Sequence, residues 1–220
     1  MLRAELFRAR NPEKAGPMQA YMKSAMPYLG IQTLELRTIC GRLFAAHPIE
    51  TPVAWRSACL RIWREARFRE ERYAAIGLTG FRLYGPFQTL ETLTMYEEMI
   101  VTGAWWDFVD SIASKRLGAL LRVYPARMRT TMLKWSRCRN LWKRRSAILC
   151  QLGFKGATDL DLLYACIEPS LLSKEFFLQK AIGWALRQYA WTAPHEVARY
   201  VREHERELSP LSKREAMKNI

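Results

Sequence analysis

Apolar residues recur at three- and four-residue intervals through most of this chain, and no run alternates apolar with polar positions as a half-buried strand would. Glu91 to Ile100 is representative. Leu93, Tyr96 and Ile100 fall on one stripe, the spacing of an amphipathic helix. Helix starts are marked by Thr51-Pro52 and Ser209-Pro210, since proline suits the first helical position. Ser212-Lys-Arg-Glu215 reads as a capping box opening the last short helix. Breaks are expected at Pro27 to Gly30, Ala46 to Pro48, Gly85-Pro86, Tyr124-Pro125, Gly153 to Thr158 and Thr192 to Pro194. The pattern predicts an all-α fold of roughly ten to twelve helices joined by short loops.

A longer period overlies the helical one. Ile39, Ile76, Ile112, Ile148 and Ile182 are separated by 37, 36, 36 and 34 residues, several with alanine alongside. Intervals of this size suit stacked helix pairs, so the expectation is one helical-repeat domain over residues 1–220. In such a solenoid equivalent helices line one concave face. Asp110, Arg145 and Trp184, each two or three residues from a repeating Ile, are then expected to share a groove.

Charge adds a partner to this picture. The chain carries 35 Lys and Arg against 21 Asp and Glu, a formal net charge of +14. Ser111 to Thr158 holds twelve of those cations and no acid. An excess concentrated in this way implies a polyanion, with nucleic acid ahead of a membrane surface. The five cysteines form no C-x-x-C pair and the three histidines are isolated, so neither a metal site nor a disulfide framework is indicated. Neither a signal-peptide core nor an eighteen-residue apolar span is present, and an intracellular, cytoplasmic protein is expected.

Candidate chemistry lies at the edge of the acid-free stretch, in Trp105-Trp106-Asp107-Phe108-Val109-Asp110. Trp106 and Asp110 are four apart and share a helix face. An indole face attracts cations and a carboxylate adds full negative charge, so the pair suits a transition state that gains positive charge on a sugar. The plainer alternative is a core tryptophan and an aspartate that caps a helix or pairs with a nearby Arg. Asp107 falls at the helix start, where a carboxylate interacts with free backbone N–H groups, although an acid/base pair with Asp110 is also compatible with the spacing. Lys143, Arg144 and Arg145 are candidate phosphate contacts, but three consecutive helical residues spread over about 200° and cannot all face one groove. Gly183, inside an apolar helix beside Trp184, marks the close approach of another element.

Taken in order, Tyr21-Met22-Lys23 with Tyr28 to Ile31, the Trp105–Asp110 hexapeptide, Asn140 to Leu149, Phe176 to Tyr189 and Leu208 to Glu215 resemble the AlkD-type DNA alkylation repair glycosylases. The resemblance implies HEAT-like repeats forming a solenoid with a concave basic groove. It also implies a monofunctional, cofactor-free enzyme that removes cationic N3- or N7-alkylated purines from double-stranded DNA and leaves an abasic site. It places the catalytic roles on Trp106, Asp110 and Trp184, and a DNA contact near the lesion on Arg145. Two positions depart from the family pattern. Phe108 stands where Thr is common, facing away from Trp106 and so affecting packing. Lys143 stands where Leu is common, as an added phosphate contact or an exposed charge. The competing expectation is a non-catalytic helical-repeat protein that binds distorted or branched DNA. A scaffold for an acidic protein would use the same basic surface but gives no reason for the Trp–Asp pair. A monomer suffices for either DNA-binding reading.

Overall fold

The computed structural model describes residues 1–220 and is all-α, with fourteen α-helices. They are α1 (Leu2–Arg8), α2 (Pro12–Met22), α3 (Thr33–Ala46), α4 (Pro52–Arg64), α5 (Arg69–Thr79), α6 (Leu93–Gly103), α7 (Trp106–Ile112), α8 (Gly118–Val123), α9 (Pro125–Ser136), α10 (Leu141–Leu149), α11 (Leu160–Ile167), α12 (Phe176–Ala190), α13 (Pro194–Glu203) and α14 (Pro210–Ala216). The count exceeds expectation because short helices such as α1 and α8 carry too few turns to show a periodic stripe. Starts fall where the caps lie. Thr51 accepts from the Ala54 N–H at 3.2 Å, and Ser209 accepts from the Ser212 N–H at 3.0 Å.

One start signal was misplaced. Ser212 and Glu215 lie inside α14 and do not cap it. The Ser209-Pro210 pair three residues earlier takes the cap, which frees the Ser212 hydroxyl to donate to the Gln179 carbonyl at 2.9 Å. Glu215, buried, instead binds Arg187, Lys180 and Lys218 at 2.7, 3.2 and 2.8 Å.

The chain packs as two compact units, Met1–Met95 and Tyr96–Ile220. In the first, α5 packs on α1, α3 and α4 around Leu6, Leu36, Trp55, Trp63 and Ala75. The irregular segment between α2 and α3 is held by one side chain. Fully buried Glu70 accepts from the N–H groups of Leu29, Gly30 and Ile31 at 3.0, 2.9 and 3.2 Å. Gly30 is required there. Its φ is 85°, and a Cβ would stand 2.0 Å from the Asn11 carbonyl oxygen.

The second unit is a two-layer stack. In one layer α7 packs on α10, α10 on α12, and α12 on α14. In the other, α9 packs on α11, and Tyr164 of α11 stacks on Tyr200 of α13 at 4.2 Å. Ile112, Ile148 and Ile182 sit on α7, α10 and α12, the consecutive helices of one layer, and all three are buried. Their spacing thus records one helix pair per repeat. Gly183 meets α14 so closely that a Cβ would lie 2.5 Å from the Glu215 Cβ and 2.9 Å from the Ser212 carbonyl oxygen.

Candidate functional site

The site-bearing hexapeptide enters α7 through a strained residue. Ala104 has φ 42°, a left-handed conformation that costs a non-glycine residue roughly 1–3 kcal/mol. It turns the chain so that Trp105 becomes the extended residue before the helix and Trp106 its first residue. Asp110 then projects one turn along α7, with Phe108 and Val109 buried in the core beside it. Beyond Asp110 the helix widens into a π-turn, Ala113–Leu117, a feature frequent at functional sites. The Ser114 hydroxyl donates to the Asp110 carbonyl at 2.7 Å.

Three consecutive helices of the layer meet at Asp110. Arg145 of α10 grips its carboxylate with both arms, Nε to Oδ1 and Nη2 to Oδ2, each at 2.7 Å. The remaining arm, Nη1, donates to the Phe177 carbonyl of α12. Both ionic side chains are nearly withdrawn from water, 5% exposed for Arg145 and 11% for Asp110. Parallel bidentate bonds fix the orientation of the carboxylate as well as its partner. The pairing with a nearby Arg, the plainer of the two sequence readings of Asp110, is therefore realised in the fold.

An aromatic cluster adjoins this pair through Phe177. Trp105, Trp142 and Phe177 form a triangle with centroid separations of 6.3, 5.5 and 5.0 Å. The Arg145 guanidinium lies 5.9 Å from the Phe177 centroid. Trp106 is half-buried and belongs to no ring pair of this cluster. Trp184, seven residues beyond Phe177 on α12, is also half-buried and packs against the hydrophobic core shared by helices α10 to α14. Asp110 and Arg145 are thus brought together, while Trp184 lies two turns along α12 from the ring cluster.

Electrostatics at Asp110 are a contest between burial and pairing. Burial pushes the carboxyl above its ordinary range, the hydrogen bonds and charge of Arg145 pull it back, and the charge of Asp107 in the first turn pushes it up again. Loss of water outweighs the rest. The counter-cation is one side chain, Arg145.

The basic triplet is committed to protein partners. Lys143 pairs with Glu97 and lies 4.9 Å over the Trp135 ring, so it is neither an exposed charge nor a free cation. Arg144 donates to the Pro169 carbonyl at 2.8 Å and the Ser170 hydroxyl at 2.9 Å. Sequence reasoning missed Trp105, Trp142 and Phe177 as one cluster. Trp105 precedes the helix and so falls outside its periodicity, and a backbone carbonyl such as that of Phe177 leaves no trace in residue type.

No three His, Cys, Asp or Glu residues come together as a metal site, and no helix is long and apolar enough to cross a membrane.

A family model described as DNA alkylation repair enzyme matches residues 2–220. Among solved structures, a predicted DNA alkylation repair enzyme from Enterococcus faecalis is similar over 96% of each chain, at 33% identity and a TM-score of 0.83. The structure of smu.31 from Streptococcus mutans UA159 is similar in fold, at 14% identity and a TM-score of 0.62, over 84% of this chain and 99% of that one. No curated protein matches the chain.

Proposed function

The chain belongs to the DNA alkylation repair enzyme family, and from that premise we propose that it is a DNA glycosylase, acting as one domain on cationic N3- or N7-alkylated purines in double-stranded DNA. The observation that carries this reading is Asp110, a carboxylate kept buried, oriented and charge-paired by Arg145 beside half-buried Trp106.

The chemistry asks little of an acid. An alkylated purine that already bears positive charge leaves with the glycosidic electron pair and becomes neutral. Positive charge then develops on the deoxyribose, water adds at the anomeric carbon, and a proton departs. Asp110 stabilises the cationic sugar electrostatically and orients the water, in a setting with little solvent to screen it. Trp106 and Trp184 offer aromatic faces to the same positive charge. Arg145 acts first by holding Asp110. Three of its five N–H donors serve Asp110 and Phe177, and the two left over suit a phosphate beside the lesion.

The test is release of free base from duplex DNA containing N7-methylguanine or N3-methyladenine, comparing the unaltered chain with Asp110→Asn after thermal melting has shown that the variant folds. Release by the unaltered chain alone, with DNA binding retained in both, is expected. Tight binding without release by either would favour the non-catalytic DNA binder, and equal losses of binding and release in the variant would argue against a catalytic Asp110.

A further inference from the structure

We propose that the phosphate-binding cations of this chain include Lys134, Arg137 and Arg139, at the α9–α10 turn, and that this turn seats a DNA backbone beside the site. The inference rests on the DNA-directed reading above and adds backbone contacts to the one offered by the remaining donors of Arg145.

The argument begins from the twelve cations between Ser111 and Thr158. At least four are spoken for by protein groups. Arg129 pairs with Asp159, Lys143 with Glu97 and Arg145 with Asp110, while Arg144 braces Pro169 and Ser170. Arg122 lies over the Phe154 ring at 3.7 Å. Moving Lys143 or Arg144 onto a phosphate would cost the contacts they already make, and Arg145 has only its two remaining N–H donors to offer. Lys134, Arg137 and Arg139, in contrast, are exposed and form no ion pair or side-chain hydrogen bond.

Their placement singles them out among the exposed cations. Lys134 lies in the last turn of α9 and Arg137 three residues on, at the C-cap, so the two share a face. The opposite side of that helix end, Met132, Trp135 and Ser136, is buried. Arg139 directly precedes Asn140, whose side chain accepts from the Trp142 and Lys143 N–H groups at 3.0 Å each and so starts α10. From the first residue of α10 to Arg145 the helix rises only about 6 Å. At about 3.4 Å of duplex axis per phosphate on each strand, a backbone at this turn lies within a few nucleotides of a sugar facing Asp110. The turn contains no acid, and three positive charges in six residues complement a phosphate backbone.

Binding of the full chain to undamaged duplex DNA, measured by fluorescence anisotropy across a range of salt, tests the turn without requiring excision. Each lost phosphate contact reduces the slope of log K against log salt by about 0.9, so Lys134→Gln/Arg137→Gln/Arg139→Gln is expected to reduce it by about 2.7. The control is Arg202→Gln/Arg206→Gln/Arg214→Gln, which removes the same charge from exposed positions near the C-terminus and is expected to change the slope by less than about 0.9. Equal changes in the two variants would reduce the effect to net charge and overturn the proposal. So would an unaltered slope with a lowered Tm, which would make these residues cations that merely complement the C-terminal end of α9. Absence of salt-dependent binding by the unaltered chain would overturn the DNA reading itself, an outcome distinct from normal binding that ignores the turn.

Discussion

The Asp110–Arg145 pair makes opposite predictions for stability and function, and a double-mutant cycle separates them. Removing one partner of a buried pair leaves an uncompensated charge and costs about 3–5 kcal/mol. At about 2–4 °C per kcal/mol for a chain of this size, Asp110→Val and Arg145→Met are each expected to lower Tm by roughly 6–20 °C. Arg145→Met also strands the Phe177 carbonyl, and it leaves a carboxyl that takes up a proton more readily, so its loss should shrink as pH falls. The double variant buries neither charge. Replacing a buried ion pair with apolar groups is often neutral or stabilising, and Asp110→Val/Arg145→Met is expected to regain most of the lost Tm while releasing no base. Melting of the four proteins followed by circular dichroism, with base release measured in parallel, closes the cycle. Strictly additive losses would refute the reasoning, because they would mean that water screens the pair and that the two charges do not depend on one another.

Three further outcomes follow from the geometry. The proposed mechanism requires ionised Asp110, whose carboxyl lies above the ordinary range of about 3.9; base release corrected for spontaneous depurination should therefore fall on the acid side at a pH above that value, and Asp107→Asn should move this limb downward. The linked stability has the opposite sign: the folded state holds the Asp110 proton more tightly than the unfolded chain, so this contribution is present below the ordinary value and lost as pH rises through the folded one. Gly183→Ala places a methyl 2.9 Å from a backbone oxygen and 2.5 Å from the Glu215 Cβ; it should destabilise by about 1–3 kcal/mol in denaturant titration, and an unchanged midpoint would show that α14 moves away freely. Glu70→Ala strands three buried N–H groups at about 1–3 kcal/mol each. Hydrogen exchange at Leu29, Gly30 and Ile31 should accelerate markedly, and retained protection would mean that another group takes over the cap.

The sequence by itself determined much about this protein. Helix class, most breaks, the caps at Thr51 and Ser209 and the close approach at Gly183 are local consequences of residue type, and each could be read from a few neighbouring positions. Ile112, Ile148 and Ile182 marked the helices that stack as one layer of the second unit, because every repeat must bury the same face. Tertiary structure alone decided the fate of the charges. Asp110 and Arg145 are 35 residues apart, and Arg145 is anchored by a carbonyl 32 residues further on. Nothing in the Lys143-Arg144-Arg145 triplet announces that each member turns toward the protein, or that exposed cations gather at the turn just before it. The same crossing of distant segments took Ser212 and Glu215 away from capping, since the close contact at Gly183 brings α12 within their reach. Helix formation is governed by bonds to residues four positions away, whereas a charged side chain is satisfied by whichever group the packing of distant helices places within about 3 Å.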